Sequence, residues 1–180
     1  MSTSFTRIPS PVGELLVTAS DSGVTGVYFP TPDRMPKDRA GWVEDDGRGR
    51  ASAWLTRARR QLTEYFAGSR TTFDLPLDPS GTAFQHRVWE ALRMVPYGTT
   101  TSYGELARRL GNVRATRAVG AANGRNPISI VVPCHRVVGA KGDLTGFGGG
   151  LDRKRWLLEH EGALLKLSDA SAPAHTPATA

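Results

Sequence analysis

One cysteine in 180 residues, Cys134, leaves no partner for an intramolecular disulfide, so it works as a thiol or thiolate. Histidine is nearly as scarce. His86, His135, His160 and His175 fall at no recognisable ligand spacing, which argues against a structural zinc site. No apolar run approaches the roughly 18 residues that cross a bilayer, and the opening "MSTSFTRIPSPVG" lacks a charged stretch leading into an apolar core. Neither membrane nor secretion is expected, and the cytoplasm is the default compartment. Excess charge is missing from the first part of the chain. Residues 1–80 hold 10 Lys and Arg against 10 Asp and Glu, residues 81–165 hold 12 against 6, and the tail from 166 to 180 holds one of each. The net charge of +6 therefore belongs to the second segment. A confined basic surface is the footprint of a polyanion, with nucleic acid the leading class and a solvated basic face the alternative.

At 39% apolar residues the chain can fill a core. Residues 5–29 read as short strands broken by the turn chemistry of "PSPVG" and "SDSG". Residues 30–50, rich in Pro, Gly and charge without period, read as an exposed loop. Leu55, Ala58, Leu62, Tyr65 and Phe66 recur at helical spacing, Gly68 is placed to end that helix, and "RTTFDLPL" looks like a further strand. This α+β unit, residues 1–78, reads as scaffold.

A second unit, 79–165, opens with Thr82 and Gln85 as a capping box ahead of an apolar face that Pro96 stops. Ser102 and Glu105 repeat the device in "TSYGELARRLG", and "NVRATRAVGAANG" follows as a short helix with Gly124 past its end. Two short helices joined by about three residues form a helix-turn-helix candidate. Arg114, Arg117 and Ala121 lie at i, i+3 and i+7 of its second part and Arg125 follows, a face of arginines and small side chains suited to close approach to DNA. Ile128 to Val132 is a continuous apolar run expected to be a buried strand that Pro133 ends, with Cys134 where the strand turns out. Beyond the glycine-rich "GFGGG", read as a loop that lets backbone approach a ligand, Asp152 can cap a helix ending at Gly162. The Ala/Pro/Ser/Thr-rich tail, 166–180, reads as disordered.

An isolated cysteine is ordinarily an inert small hydrophobe. Here His135 and Arg136 follow it, and reactive thiols need such neighbours; only a turn, which Pro133 supplies, brings adjacent side chains to one side. Glu161 sits in the last turn of its helix, where a carboxylate opposes the macrodipole and calls for a partner. A histidine would serve, giving a Cys–His–carboxylate order of nucleophile, base and orienter; a solvated surface carboxylate is the alternative.

The stretch "NPISIVVPCHRVVGAKGDLTGFGGGLDRKRWLLEHEG", with "FQHRVWEALRMVPYGTTTSYGELARRLG" and "ATRAVGAANGRNP", resembles the O6-alkylguanine-DNA alkyltransferase family almost without gaps from about residue 82 to 162. "SPVGELLVTASDSGVTGVYF" is similar to the family's first hairpin, more weakly. The resemblance implies a small RNase H-like α/β domain followed by a mainly helical domain with a winged-helix-like helix-turn-helix. It implies single-turnover transfer of an alkyl group from O6-alkylguanine in duplex DNA to Cys134, with His135 taking the thiol proton through a water and Glu161 orienting His135. It needs neither cofactor nor metal. Tyr103 would help rotate the nucleotide out and donate to the departing base, Arg117 would fill the vacated stack, and Asn126 would tie the helix-turn-helix to the active-site strand. Arg114, Ala121, Ala122 and Arg125 would join the DNA surface, the second helix entering the minor groove. Backbone around Cys134, Val137 and Gly148 would line the guanine edge, with Phe147 packing on the base. Phe147 stands where many relatives have tyrosine and Gly148 where some have serine, which removes side-chain hydroxyls from the pocket. The partner is alkylated duplex DNA, not a membrane, and the protein is expected as a monomer, with cooperative binding along DNA left open. A lesion-binding relative without transfer, a helix-turn-helix regulator and a thiol hydrolase on an acyl substrate are the competing readings. The first would lack the cysteine of "PCHR", the second would need a dimerisation helix, and the third predicts multiple turnovers without DNA.

Overall fold

The structure is a computed structural model and describes residues 3–165; the expected disordered tail, 166–180, lies outside the described residues. Four strands form the first sheet: β1 (Thr3–Ile8), β2 (Leu15–Ala19), β3 (Val24–Tyr28) and β4 (Trp42–Glu44), in the order β3-β2-β1-β4. The first three make an antiparallel meander and β4 runs parallel to β1. Every residue of the central β2 is buried, as the unbroken apolar stretch "LLV" requires of a strand covered on both faces. Helix α1 (Gly49–Phe66) packs on this sheet through Leu55, Ala58, Leu62 and Tyr65, the face its helical periodicity marks.

The second half is mainly helical: α2 (Ala83–Arg93), α3 (Tyr103–Arg109), α4 (Thr116–Gly124) and α5 (Leu151–His160). Thr82 caps α2 with a complete capping box: its hydroxyl accepts from the Gln85 amide, and the Gln85 side chain accepts from the Thr82 amide at 2.9 Å. At α3 only half the device forms. Ser102 accepts from the Glu105 amide, while the Glu105 carboxylate turns to Arg108 and Arg109. Two short parallel strands, β5 (Thr101–Ser102) and β6 (Val137–Val138), tie the start of α3 to the chain just after Cys134.

Five sequence expectations are corrected. The stretch 30–50 is not all loop, because β4 within it covers the open edge of β1, with the Phe5 and Trp42 rings 6.3 Å apart. Residues 70–77 form no strand; they touch β3 through one bridge, Val24 to Leu77, and Pro76 has no N–H with which to extend it. Ile128–Val132 is buried but is not a strand. Ile130 takes φ of 72°, and the chain folds on itself through Val132 N–H to the Ile128 carbonyl at 3.0 Å. Periodicity alone cannot tell such a coil from a buried strand. Asp152 lies in the first turn of α5 and does not cap it; Gly150 holds that position. Gly124 is the last residue of α4, not the residue past its end.

The 127–132 coil joins the halves. Val27 of β3 donates to the Pro127 carbonyl at 2.9 Å and accepts from the Ser129 amide at 3.1 Å, and Ile128 and Ile130 are fully buried in one apolar cluster with Val27, Leu62, Val88 and Leu157. Truncating Ile128 to alanine is therefore expected to cost about 2–5 kcal/mol, read as a lower urea midpoint at unchanged slope.

Candidate functional site

Cys134 opens a 3-10 turn, Cys134–Arg136, that starts directly after Pro133. The turn matters because it parts the thiol, which meets Asn126, from the imidazole and guanidinium, which both meet Glu161. His135 Nε2 is 2.7 Å from Glu161 Oε1, and both side chains are fully buried. Arg136 donates from Nε to Glu161 Oε2 at 2.8 Å and from Nη2 to Oε1 at 3.0 Å, while its Nη1 donates to the Val95 carbonyl at 2.7 Å. The Tyr65 hydroxyl donates to Glu161 Oε1 at 2.7 Å. The carboxylate at the C-terminus of α5 thus has the partner its position called for, and two more.

Burial alone would raise the Glu161 carboxyl, but the charges and hydrogen bonds of His135 and Arg136 outweigh it and hold the group well below the usual carboxylate range. Burial lowers His135 below its ordinary value against the pull of Glu161, so the ring rests neutral. With a carboxylate facing Nε2, that nitrogen carries the proton. Nδ1 is left buried with no hydrogen-bond partner in the protein.

The Cys134 sulfur does not bond His135 directly among the described residues; its hydrogen-bond donor is Asn126 Nδ2, at 3.1 Å. The same amide donates to the Val132 carbonyl at 2.8 Å, and Asn126 Oδ1 accepts from the Ile128 amide at 3.0 Å. Burial pushes the thiol up, against the Asn126 bond and the nearby Lys154 charge. Lys154 is itself fully buried on α5, donating to the Val137 carbonyl at 2.5 Å and the Thr145 carbonyl at 2.7 Å. Burial brings its ammonium down to about 8.

A cavity of about 210 Å³ opens over the sulfur, lined by Cys134, Asn126, Phe147, Gly148, Phe29 and Arg34 among others. Val137 does not line it; the residue is buried in β6 and its carbonyl is taken by Lys154. Tyr103 begins α3 beside the site, its hydroxyl 3.5 Å from the Thr145 carbonyl and its ring close to Gly120 of α4. Burial raises its pKa, so the hydroxyl keeps its proton. Arg117, Ala121 and Arg125 are exposed along and just past α4, and Arg114 is exposed in the 3-10 turn Val113–Ala115 before it. Ala122 is a correction. It is 3% exposed, turned inward against α2, and its carbonyl accepts from Trp89 Nε1 at 3.0 Å, so it lies off the outer face.

Four side chains around the site escape sequence reasoning: Arg136 as a Glu161 partner, Lys154, Tyr65 and Arg34. Lys154 shares the inner register of α5 with Leu157, Leu158 and Glu161, a signal that was available. Tyr65 carries no local signal, since its partner lies 96 residues away. Among the described residues, no group of three or more His, Cys, Asp or Glu could hold a metal ion, and no helix is long and apolar enough to cross a membrane.

Comparison with known proteins gives the family of the chain. Residues 83–163 match the family model described as 6-O-methylguanine DNA methyltransferase, DNA binding domain, and residues 4–79 match that for its ribonuclease-like domain. Methylated-DNA–protein-cysteine methyltransferase of Mycolicibacterium paratuberculosis is 49% identical over 169 residues, covering 92% of this chain and 98% of that one. The protein of that name from Methanosarcina acetivorans is 47% identical over 154 residues, covering 86% and 95%. The crystal structure of Mycobacterium tuberculosis OGT in complex with DNA superposes with a TM-score of 0.80 at 47% identity, covering 91% of this chain and 98% of that one.

The buried network predicts acid sensitivity. His135 sits below its ordinary 6.5 in the folded chain, so the unfolded chain takes up its proton first and stability falls as pH drops below about 6.5. Glu161, held below its ordinary 4.5, extends the loss further down. Urea unfolding should lose stability to His135 as pH falls below about 6.5, at no more than about 1.4 kcal/mol per pH unit, and His135→Gln should flatten that slope.

Proposed function

The chain belongs to the 6-O-methylguanine DNA methyltransferase family, and from that premise we propose that it repairs duplex DNA by moving an alkyl group from O6-alkylguanine to Cys134. The observation that carries this reading is the division of labour around one 3-10 turn: a thiol at a cavity, and next to it a neutral imidazole locked by Glu161 with Nδ1 unpaired. That nitrogen accepts the thiol proton through a bridging water. The sulfur lone pair then attacks the alkyl carbon, the carbon–oxygen bond breaks, and its electron pair returns to the purine. Guanine leaves restored and the protein keeps a thioether. A thioether has no good leaving group and no second cysteine exists to displace it, so each molecule acts once.

The other groups divide between admitting the base and discharging it. The reacting carbon is out of reach inside a stacked duplex, so the nucleotide is extruded, at a few kcal/mol that an alkylated, mispaired base lowers. Arg117 on the exposed face of α4 fills the gap left behind, with Arg114 and Arg125 on the phosphates and Ala121 allowing close approach to the minor groove. Tyr103, which keeps its proton, donates to the departing base. Asn126 supports the thiolate through its N–H, and Phe147 and the backbone at Gly148 form the base pocket. The domain division at residues 78 and 79 separates scaffold from acceptor domain. The chemistry needs neither metal nor cofactor, and a monomer suffices for it.

Mixing the protein with an equimolar duplex carrying one O6-methylguanine is expected to add one methyl to its intact mass, saturating at one per molecule and absent in Cys134→Ala. Tight binding of that duplex with no mass change would instead make this a lesion-binding protein. Single-turnover transfer should slow by about 100-fold or more in Glu161→Gln and by a smaller factor in Tyr103→Phe, with duplex binding retained in both.

A further inference from the structure

The segment between β3 and α1 sends one side chain into the cavity over Cys134. Its backbone is a tight turn in which the Arg34 and Met35 amides donate to the Thr31 carbonyl at 3.0 and 3.1 Å, and the Thr31 amide donates to the Phe29 carbonyl at 2.8 Å. Phe29 meets Phe147 edge-on with centroids 5.5 Å apart, which anchors the turn to the cavity wall. From there Arg34 Nη1 donates to the carbonyl of Gly124, the last residue of α4. The guanidinium also fills the volume a Cβ would occupy at Gly148. Arg34 and Cys134 line one cavity, and while burial raises the thiol, the Arg34 charge is among those acting against it.

We propose that Arg34 is a specificity-determining residue that limits the size of the group able to reach Cys134, by filling the space over Gly148 and bridging the cavity mouth to the end of α4. The biological meaning rests on the alkyl-transfer reading above; the steric claim concerns access to the sulfur under any chemistry. Two features support bulk as the operative property. Gly148 lacks the side chain that would otherwise form this wall, so the wall is lent by a residue 114 positions earlier in the chain. The guanidinium is tethered at an exposed rim by a hydrogen bond to a carbonyl, so an incoming group has to fit beneath it or displace it.

Because Cys134 is the sole thiol, intact mass reads its modification directly. Wild type, Arg34→Ala and Arg34→Met are each reacted with iodoacetamide and with the bulkier N-phenylmaleimide, and separately with duplex O6-methylguanine and O6-benzylguanine. The readout is the bulky-to-small rate ratio within each pair, in which a change of thiolate population largely cancels. Arg34→Ala is expected to raise both ratios by about 10-fold, and Arg34→Met, which keeps bulk without charge, to stay near wild type. Unchanged ratios in Arg34→Ala, with its thermal midpoint also unchanged, would overturn the inference. So would an equal rise in Arg34→Met, which would assign the effect to charge. If wild type takes no methyl from the duplex while the thiol-probe ratio still rises in Arg34→Ala, the transfer reading fails and the Arg34 assignment stands.

Discussion

The buried carboxylate of Glu161 is the constraint on which the site depends. A lone carboxylate in this interior would carry a penalty of several kcal/mol, so it is tolerable only with its lone pairs filled. Three side chains fill them: His135 and Arg136 from the turn that Cys134 opens, and Tyr65 from α1. Arg136 carries the connection on to the Val95 carbonyl beyond α2. Removing one charged partner of such a group typically costs about 3–5 kcal/mol, and the Tyr65 hydroxyl adds a bond from the scaffold half to the same anion. The same bond fixes which nitrogen of His135 is free, a choice of tautomer that no local sequence feature could make.

Asn126 is the second pivot, and it explains the coil that follows. Its side chain must reach both the Val132 carbonyl and the Cys134 sulfur, contacts within eight residues that an extended strand would spread far apart. The chain therefore doubles back between Pro127 and Pro133, and Ile130 takes a positive φ. For a β-branched residue that conformation costs about 1–2 kcal/mol, which the complete burial of Ile130 offsets.

What could be read in advance follows from how local each feature is. The helices α1 and α2 were legible because spacing, caps and stops lie within one segment, and Glu161 drew attention because its position at a helix C-terminus is unfavourable on its own. The strand β4 and the coil 127–132 were not legible, since one is set by the edge of β1 and the other by its contacts with Asn126 and the distant Val27. Ala122 failed for a related reason. Position along a short helix says which residues share a face but not which face the neighbouring helix covers, and α2 covers that one. Lys154, Arg136 and Arg34 were missed because each is a cation whose partners are backbone carbonyls or a distant carboxylate, and charge in a sequence reads first as solvated surface.

The electrostatics of Cys134 fit the acceptor role proposed for it. Donors and cations surround the sulfur, yet burial dominates and the resting thiol stays protonated. A standing thiolate would react with any small electrophile, and under the proposed single transfer no later step would correct that loss. In the proposed transfer a neutral thiol defers charge formation until His135 takes the proton, with Asn126 and Lys154 already placed beside the sulfur. Preorganised dipoles of this kind cost no rearrangement during the reaction. Under the proposed transfer, discrimination has to precede bond formation, at the entry to the cavity over the sulfur. With no release step behind it in that proposal, the lining of this one cavity bears on which adducts reach Cys134.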